Sequence, residues 1–165
     1  MPTTGIRGVM NGRIGSGWRA VRLVTASPPE ASAKPHFRWP LRVYYEDTDF
    51  GGVVYYANYL RFFERARTEW LRALGIEHQA LARDAGLQFV VRRAEIDFLR
   101  GARLDDALEI TVEVTERKRA SLLLTQEALR QGEPMARALV QAACVRCADL
   151  KPAPLPATLL SRLPA

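Results

Sequence analysis

Three carboxylates, Glu46, Asp47 and Asp49, stand close together in the sequence and are followed by a pair of glycines. Glycine has no side chain, so a ligand can approach the backbone closely there. A helical pattern begins near Ala57, and the unpaired N–H groups and positive dipole end of a helix start polarise a carbonyl. A carboxylate beside such donors is the arrangement of an acyl-transfer site. From spacing alone, acids that cap a turn and solvate a loop are the plainer interpretation.

Other catalytic signatures are missing from the sequence. It contains no G-x-S-x-G nucleophile motif, no phosphate-binding or dinucleotide-binding glycine pattern and no H-E-x-x-H zinc motif. Cys144 and Cys147 form a C-x-x-C pair, but positions three apart point to opposite faces of a strand. Zinc needs four ligands, and the two histidines, His36 and His78, are far away in sequence. We therefore predict packing cysteines in a reducing cytoplasm, with no metal and no cofactor.

A long amphipathic helix is the clearest element, over about residues 57–74. Its apolar positions recur at spacings of three and four, and they are Tyr59, Phe63, Ala66, Trp70 and Leu74. Asn58 is the predicted N-cap, and Gly75 stands where a helix stop is expected. A shorter helix is predicted over residues 77–85. The long helix has one apolar side, which must cover another layer, and a sheet is its natural partner.

Alternating patterns predict the strands of that sheet. The first strand covers residues 37–45, and Pro40 indicates an edge position because proline cannot donate to a ladder. Four more strands are predicted over residues 90–98, 108–115, 121–129 and 135–149, followed by a helical turn over 158–163. Short connections favour antiparallel pairing. The sequence thus predicts an α+β domain in which one long helix lies across a curved, five-stranded antiparallel sheet.

Charge and length indicate one soluble domain behind a basic extension. The chain has 165 residues and a net charge of +6. Residues 1–34 hold five basic residues and a single acidic one, so this segment accounts for most of the excess. A basic tail is weak evidence for nucleic-acid binding, which we do not predict. Residues 1–35 are predicted to be disordered and residues 36–165 to form the domain. No apolar run is long enough to span a membrane.

Residues 42–74 resemble the 4-hydroxybenzoyl-CoA thioesterase family of hotdog-fold proteins, especially its branch associated with the Tol-Pal system. The family pattern D-x-D-x-x-G-x-V-x-x-x-x-Y is matched by Asp47, Asp49, Gly52, Val54 and Tyr59. Similarity extends over roughly residues 37–160. The resemblance implies a hotdog fold, an acyl-CoA substrate, and dimers or tetramers in which subunits share the active sites.

The resemblance also implies roles for individual residues. Asp49 matches the catalytic carboxylate, which acts as nucleophile or as general base, and Tyr56 matches the residue whose backbone N–H polarises the thioester carbonyl. Gly52, Val54 and Tyr59 fall among the substrate-binding positions. A segment that meets the CoA phosphates is matched by Arg117, Lys118, Arg119 and Ser121, for which a solvated turn is the plainer interpretation.

One departure concerns the mechanism. The Tol-Pal branch has histidine where this chain has Tyr56, so an Asp–His mechanism does not transfer. A CoA thiolate resembles a cysteine thiolate, with a pKa of about 8.5, and leaves without strong acid assistance. We predict a cytoplasmic acyl-CoA thioesterase. The alternative is a non-catalytic module that binds acyl-CoA or an acyl carrier protein. The acyl group stays open, since five aromatic residues near the site suit an aromatic or an aliphatic pocket: Tyr55, Tyr56, Tyr59, Phe62 and Phe63.

Overall fold

One antiparallel sheet of five strands forms the body of the protein. The structure is a computed structural model that describes residues 37–163. The strands are β1 (Phe37–Arg42), β2 (Leu87–Phe98), β3 (Ala107–Lys118), β4 (Ser121–Arg130) and β5 (Glu133–Arg146). Their order across the sheet is β1-β3-β4-β5-β2. The helices are α1 (Asn58–Ala73), α2 (His78–Ala85) and α3 (Ala157–Leu160). The predicted arrangement of one long helix and an antiparallel five-stranded sheet is confirmed.

The two edges of the sheet belong to β1 and β2. Pro40 lies on β1 opposite Glu109, so the edge position predicted from this proline is confirmed. The strand ends at Arg42, three residues before the predicted end, because the chain turns into a short 3-10 helix at Tyr45–Asp47. Tyr45 therefore does not share the buried face of β1, and 82% of its surface is exposed.

The long helix begins one position away from the predicted cap. Ala57 is the N-cap residue and already has helical dihedral angles. Asn58, the predicted N-cap, is the first helical residue, and its Nδ2 donates to the Asp47 carbonyl 3.0 Å away. The Asp47 carbonyl also accepts from the Tyr55 N–H at 2.8 Å, so it lies close to the helix start, within reach of this amide. At the other end, Gly75 has a φ of +69° and ends the helix as expected.

The core lies between α1 and the inner face of the sheet. Phe62 and Phe63 on α1 are fully buried, as are Ile110 on β3 and Leu124 on β4. Strand β4 alternates apolar residues inward, with a polar one among them, Gln126, that is also fully buried. Burying an apolar side chain of this size contributes about 1.5–3 kcal/mol, so the helix–sheet contact supplies much of the stability of the domain.

Gln126 is held by hydrogen bonds to three residues on two elements, α1 and β3. Its Nε2 donates to the carbonyls of Phe63 on α1 and Thr111 on β3, at 3.1 and 3.4 Å. Its Oε1 accepts from the Arg67 guanidinium at 2.7 Å. A buried amide is stabilising only when such partners are present. The side chain therefore fixes the position of the helix over the sheet.

We expect Gln126→Leu to lower the free energy of unfolding by about 1–3 kcal/mol, because it removes the acceptor of a partly buried guanidinium. Urea denaturation measures the change. The matched control is Gln141→Leu on β5, a half-buried glutamine. We expect the control to alter the unfolding free energy by less than about 0.5 kcal/mol. Equal effects of the two substitutions would contradict the role given to Gln126.

The remaining predictions about the fold have mixed outcomes. Strand β5 ends at Arg146 rather than at Asp149, and the closing helical turn begins at Ala157. Cys144 is buried and Cys147 exposed, and both are free thiols. The extension predicted to be disordered, residues 1–35, lies outside the described residues. Within residues 37–163, no helix is long and apolar enough to cross a bilayer.

Candidate active site

The acid-rich segment folds back on itself as a small loop before α1. Asp49 N–H donates to the Val53 carbonyl at 2.9 Å, and Thr48 and Val54 form an isolated antiparallel bridge. Gly52 closes the turn with a φ of +73°, a conformation that glycine adopts without strain, and its N–H donates to the Asp49 carbonyl at 3.0 Å. The predicted need for glycine at this position thus comes from the turn itself.

Asp47 anchors this loop from inside. Only 6% of its surface is exposed, and its Oδ2 accepts from the Tyr44 N–H at 2.9 Å. Its carbonyl accepts from Tyr55 N–H at 2.8 Å and from Asn58 Nδ2 at 3.0 Å. These contacts join the end of β1 to the start of α1. Of the two matched aspartates, Asp47 is therefore a positioning residue.

Asp49 presents its carboxylate to solvent at the turn of the loop. Its Oδ1 accepts from the Gly51 N–H at 2.8 Å, which fixes the orientation of the group. In the described part of the chain, Oδ2 accepts no hydrogen bond from another residue. One oxygen thus holds the carboxylate in place while the other is open to a water molecule or a substrate.

The chain enters α1 through a tight turn at Tyr56. The Asn58 N–H donates to the Tyr55 carbonyl at 2.8 Å, which places Tyr56 at the second position of the turn. Among the residues that the structure describes, none accepts a hydrogen bond from the Tyr56 N–H. Backbone N–H groups at the start of a helix that have no hydrogen-bond acceptor bind anions and polarised carbonyls. Tyr56 lies on the surface, with 60% of the residue exposed.

Aromatic rings form one wall beside this turn. The Tyr55 and Tyr56 rings are 4.6 Å apart, and Phe98 at the end of β2 lies 6.2 Å from Tyr56 and 5.7 Å from Tyr59. The hydrogen bond with Tyr56 raises the pKa of Tyr55, and the Asp49 carboxylate adds to this effect. The carboxylate therefore lies close enough to Tyr55 to act on it electrostatically.

The other predicted aromatic residues point inward. Phe62 and Phe63 are fully buried, and Tyr59 is 3% exposed. The Tyr59 hydroxyl accepts from the Ala102 N–H at 3.4 Å, and burial raises the pKa of this tyrosine. Tyr59 thus supports the loop at Ala102, and Phe62 and Phe63 belong to the core.

Two features were missed in the sequence, one at the end of β2 and one in the loop that follows it. Phe98 completes the aromatic wall, and Ala102 accepts from the Val54 N–H at 2.8 Å through its carbonyl. Val54, a matched position, is buried and ties the acidic loop to this second loop. In the sequence, Gly101 was the sign of a close contact at this second loop. The structure shows the reason for a glycine, because a Cβ there would lie 2.7 Å from the Val53 side chain.

The basic hairpin lies elsewhere on the chain. Arg117, Lys118 and Arg119 are exposed at the β3–β4 turn, where Lys118 pairs with Ser121. They line an open groove of about 660 Å³ together with Pro154, Leu155, Leu160 and Ser161. The Val43 N–H donates to the Asp106 carbonyl, so the acidic loop sits at the other end of β3. At about 3.3 Å per residue, the twelve residues of β3 separate the two sites by roughly 35 Å within one chain.

Comparison with known proteins identifies the family. Residues 43–163 match the model of the thioesterase-like superfamily. The chain belongs to this superfamily. The resemblance found in the sequence is thereby confirmed, and so is the hotdog fold.

Individual members of the superfamily are similar over most of the domain. The acyl-CoA thioesterase YbgC of Haemophilus influenzae is 48% identical over 120 residues, which cover 73% of this chain and 88% of that protein. A probable thioesterase from Bartonella henselae is 40% identical, with a TM-score of 0.68 over 72% of this chain and 98% of that one. Slr0204, a 1,4-dihydroxy-2-naphthoyl-CoA thioesterase from Synechocystis, is 26% identical, with a TM-score of 0.71 over 76% of this chain and 93% of its own.

Within residues 37–163, no group of three His, Cys, Asp or Glu side chains is arranged to hold a metal ion. Among the described residues, the loop and the turn after it contain the oriented carboxylate of Asp49 and the Tyr56 N–H, which has no hydrogen-bond partner. Those two groups are suited to attack on a carbonyl and to stabilisation of the charge that develops on its oxygen.

Proposed function

We propose that this protein hydrolyses acyl-CoA thioesters, with Asp49 as nucleophile or general base and the Tyr56 N–H as oxyanion donor. The observation that carries the proposal is the pairing of an oriented, solvent-facing carboxylate with an unpaired N–H at the start of α1. The names of the similar proteins, which are acyl-CoA thioesterases, support the same reaction.

The step requires only these two groups and water. With Asp49 as general base, its carboxylate takes a proton from water while the oxygen of that water bonds to the thioester carbon. The carbonyl oxygen becomes negative and accepts from the Tyr56 N–H. The C–S bond then breaks and CoA leaves as a thiolate. With Asp49 as nucleophile, a carboxylate oxygen bonds to the thioester carbon, the C–S bond breaks and CoA leaves as a thiolate. Water then hydrolyses the mixed anhydride to the free acid and the Asp49 carboxylate. Neither route needs a histidine, because the thiolate is a good leaving group.

The distance of the basic hairpin has a consequence for assembly. We propose that Arg117, Lys118, Arg119 and Ser121 bind the CoA phosphates of a site in a second copy, since roughly 35 Å separates them from the acidic loop of their own chain. The outer edge of β2 supports assembly, because within residues 37–163 this 12-residue strand pairs with β5 alone and exposes Val90 and Val91. Unpaired edges of this length favour strand pairing between copies. The protein would then be a homodimer or homotetramer.

Mixing Asp49→Asn with a hairpin variant of weak substrate affinity, assayed at a substrate concentration well below KM, tests a shared site. We expect Asp49→Asn and a triple variant with glutamine at positions 117, 118 and 119 to recover activity when unfolded and refolded together. Half of the dimers would be mixed, and each would have one intact site, which gives about a quarter of the parental activity. Thiol release from an acyl-CoA measures it. Activity no higher than the sum of the two separate variants would contradict a site shared between copies.

The hairpin triple variant by itself should bind the substrate weakly. We expect KM for an acyl-CoA to rise at least about tenfold with little change in kcat, because each charge-assisted hydrogen bond contributes about 1.5–3 kcal/mol. A matched control replaces three exposed arginines on the helices, Arg65, Arg72 and Arg83, with glutamine. An equal rise in KM for that control would mean that overall charge, and not the hairpin, attracts the substrate.

The acyl group and its carrier are distinguished by a substrate panel. Short, long and aromatic CoA thioesters compared by kcat/KM report the acyl class, and the same acyl group on an acyl carrier protein reports the carrier. The non-catalytic alternative predicts tight binding of a thioester without thiol release for every member of the panel. We propose the cytoplasm as the location, supported by the two free cysteines.

A further inference from the structure

The acidic loop is attached at both of its ends to the second loop, residues 99–106. Where the acidic loop begins, the Val43 N–H donates to the Asp106 carbonyl at 3.0 Å. Where it ends, the Val54 N–H donates to the Ala102 carbonyl at 2.8 Å. Val43 and Val54 are both buried, so these hydrogen bonds are shielded from water. The position of the acidic loop therefore depends on the shape of the second loop.

The turn at the end of the second loop has a backbone conformation that needs support. Asp105 has a φ of +66°, in the left-handed region that is unfavourable for a residue other than glycine. Its N–H donates to the Val43 carbonyl at 3.1 Å, and its own carbonyl accepts from Arg42 NH1 at 2.6 Å. Such a conformation persists only where the surrounding structure holds it. The geometry of this turn is therefore sensitive to the contacts around it.

One carboxylate oxygen fixes the turn to the sheet. Asp106 Oδ2 accepts from the Arg103 N–H at 2.8 Å and from NH1 of Arg130, the last residue of β4, at 2.9 Å. The Asp106 N–H donates to the Arg103 carbonyl at 3.1 Å, so its side chain and its backbone close the same turn. The pair is partly buried, since 21% of the Asp106 side chain and 33% of the Arg130 side chain are exposed. Partial burial strengthens such a charge-assisted hydrogen bond.

The same ion pair lies near the residue that holds the middle of the second loop. The Tyr59 hydroxyl accepts from the Ala102 N–H, and the charges of Asp106 and Arg130 both act on the pKa of this tyrosine, which burial raises most strongly. Burial by itself would raise the pKa of Asp106, but hydrogen bonds from the Arg103 N–H and the Arg130 guanidinium bring it below its usual value. Asp106 is therefore a carboxylate at neutral pH.

We propose that Asp106 and Arg130 are positioning residues for hydrolysis, which hold the second loop and through it place Asp49 beside the Tyr56 N–H. This inference rests on the proposed function, because Asp49 and Tyr56 are the groups that are positioned. Displacement of a reacting group by about 1 Å lowers a rate about a hundredfold. The effect should therefore appear in kcat, whereas KM, which we attribute to the basic hairpin, should change little.

Asp106→Leu and Asp106→Asn form a matched pair of variants. The three side chains are similar in size, but leucine has no oxygen, and asparagine can place its single carbonyl oxygen where Oδ2 accepts both hydrogen bonds. We expect Asp106→Leu to lower kcat about tenfold to a hundredfold with KM within about threefold of the parent. Asp106→Asn should keep kcat within about threefold. Equal losses of kcat in the two variants would contradict positioning through this oxygen.

Glu127→Met is the control for the loss of an ion pair. The Glu127 carboxylate accepts from Arg137 on the sheet, and the side chains of that pair are 28% and 39% exposed, close to the values for Asp106 and Arg130. We expect this variant to keep kcat within about twofold. A loss as large as in Asp106→Leu would overturn the proposal, because any ion pair of this kind would then have the same effect.

A double variant shows whether Asp106 acts through Asp49. Residues that act as a unit have non-additive effects. Adding Asp106→Leu to Asp49→Asn should therefore lower kcat by less than about threefold further, measured on folded protein. A further loss of about tenfold or more would mean that Asp106 affects turnover independently of Asp49, and would overturn the proposal.

Amide hydrogen exchange tests the loop without reference to activity. The Val43 and Val54 amides should exchange at least about tenfold faster in Asp106→Leu than in the parent, and at the parental rate in Glu127→Met. Arg130→Met removes the other member of the pair and should act in the same direction, which keeps the test valid if Asp106→Leu does not fold. Parental exchange at both amides would overturn the proposal. Failure of the proposed function is distinguishable, because it would appear as undiminished turnover in Asp49→Asn.

Discussion

Replacement of Asp49 by asparagine should lower kcat for acyl-CoA hydrolysis by about a hundredfold to ten-thousandfold, the range that a general base contributes. Asparagine has the same shape, and its carbonyl oxygen can still accept from the Gly51 N–H that now holds Asp49 Oδ1 at 2.8 Å. The loop should therefore keep its geometry while the basic oxygen is lost. Thiol release from a CoA thioester measures the change, and thermal unfolding checks the fold.

Glu46→Gln is the matched control for this substitution. Glu46 is an exposed acid three residues before Asp49 in the same loop. Glu46→Gln removes the same negative charge as Asp49→Asn, so a general electrostatic effect on the attraction of substrate should appear in both variants. We expect the control to keep kcat within about twofold of the parent, because no substrate group is placed against it. Undiminished turnover in Asp49→Asn would remove Asp49 from the chemical step.

Removal of the Tyr56 N–H should lower kcat by about a hundredfold to a thousandfold, the usual contribution of one oxyanion-hole donor. Tyr56→Pro removes that donor. Proline is well suited to this position because Tyr56 is the second residue of a turn closed by Asn58 N–H and the Tyr55 carbonyl. The N–H has no partner to lose among the described residues, so folding should be preserved.

Two further substitutions at the same position isolate the backbone from the side chain. Tyr56→Phe removes the hydroxyl and Tyr56→Ala removes the ring, and both keep the N–H. If the N–H is the oxyanion donor, kcat should fall strongly only in the proline variant. A folded Tyr56→Pro enzyme with parental kcat, or a loss in Tyr56→Phe as large as in Tyr56→Pro, would contradict the assignment. In the second case the phenol would be the active group.

Much of the fold followed from local patterns in the sequence. The apolar positions of α1 recur at spacings of three and four, and those of the strands alternate. These spacings predicted the helix and the strands. Boundaries were less accurate, because they depend on contacts with distant residues. Asn58 illustrates this, since its side chain donates to the Asp47 carbonyl, a partner that only the folded loop supplies. Tyr45 is a second case, because the turn that follows β1 removes it from the buried face.

The candidate site was identified in the sequence by residue type, but the individual roles were not. The sequence motif alone does not distinguish the role of Asp47 from that of Asp49. In the structure Asp47 is buried and hydrogen-bonded to the backbone, while Asp49 is exposed, and its Oδ2 has no hydrogen-bond partner among residues 37–163. Burial separates the two, and burial is a property of the whole chain. Gln126 could have been found from the alternation of β4, where it is the polar residue at an inward position.

The sequence alone determined the elements, the acidic loop and its junction with a helix, since these depend on the order and spacing of neighbouring residues. Only the tertiary structure decided that Tyr59 supports a second loop, that Phe98 joins the aromatic wall, and that the basic hairpin lies at the far end of β3. These relations join residues that are tens of positions apart, and packing of the helix on the sheet brings them together or keeps them separate.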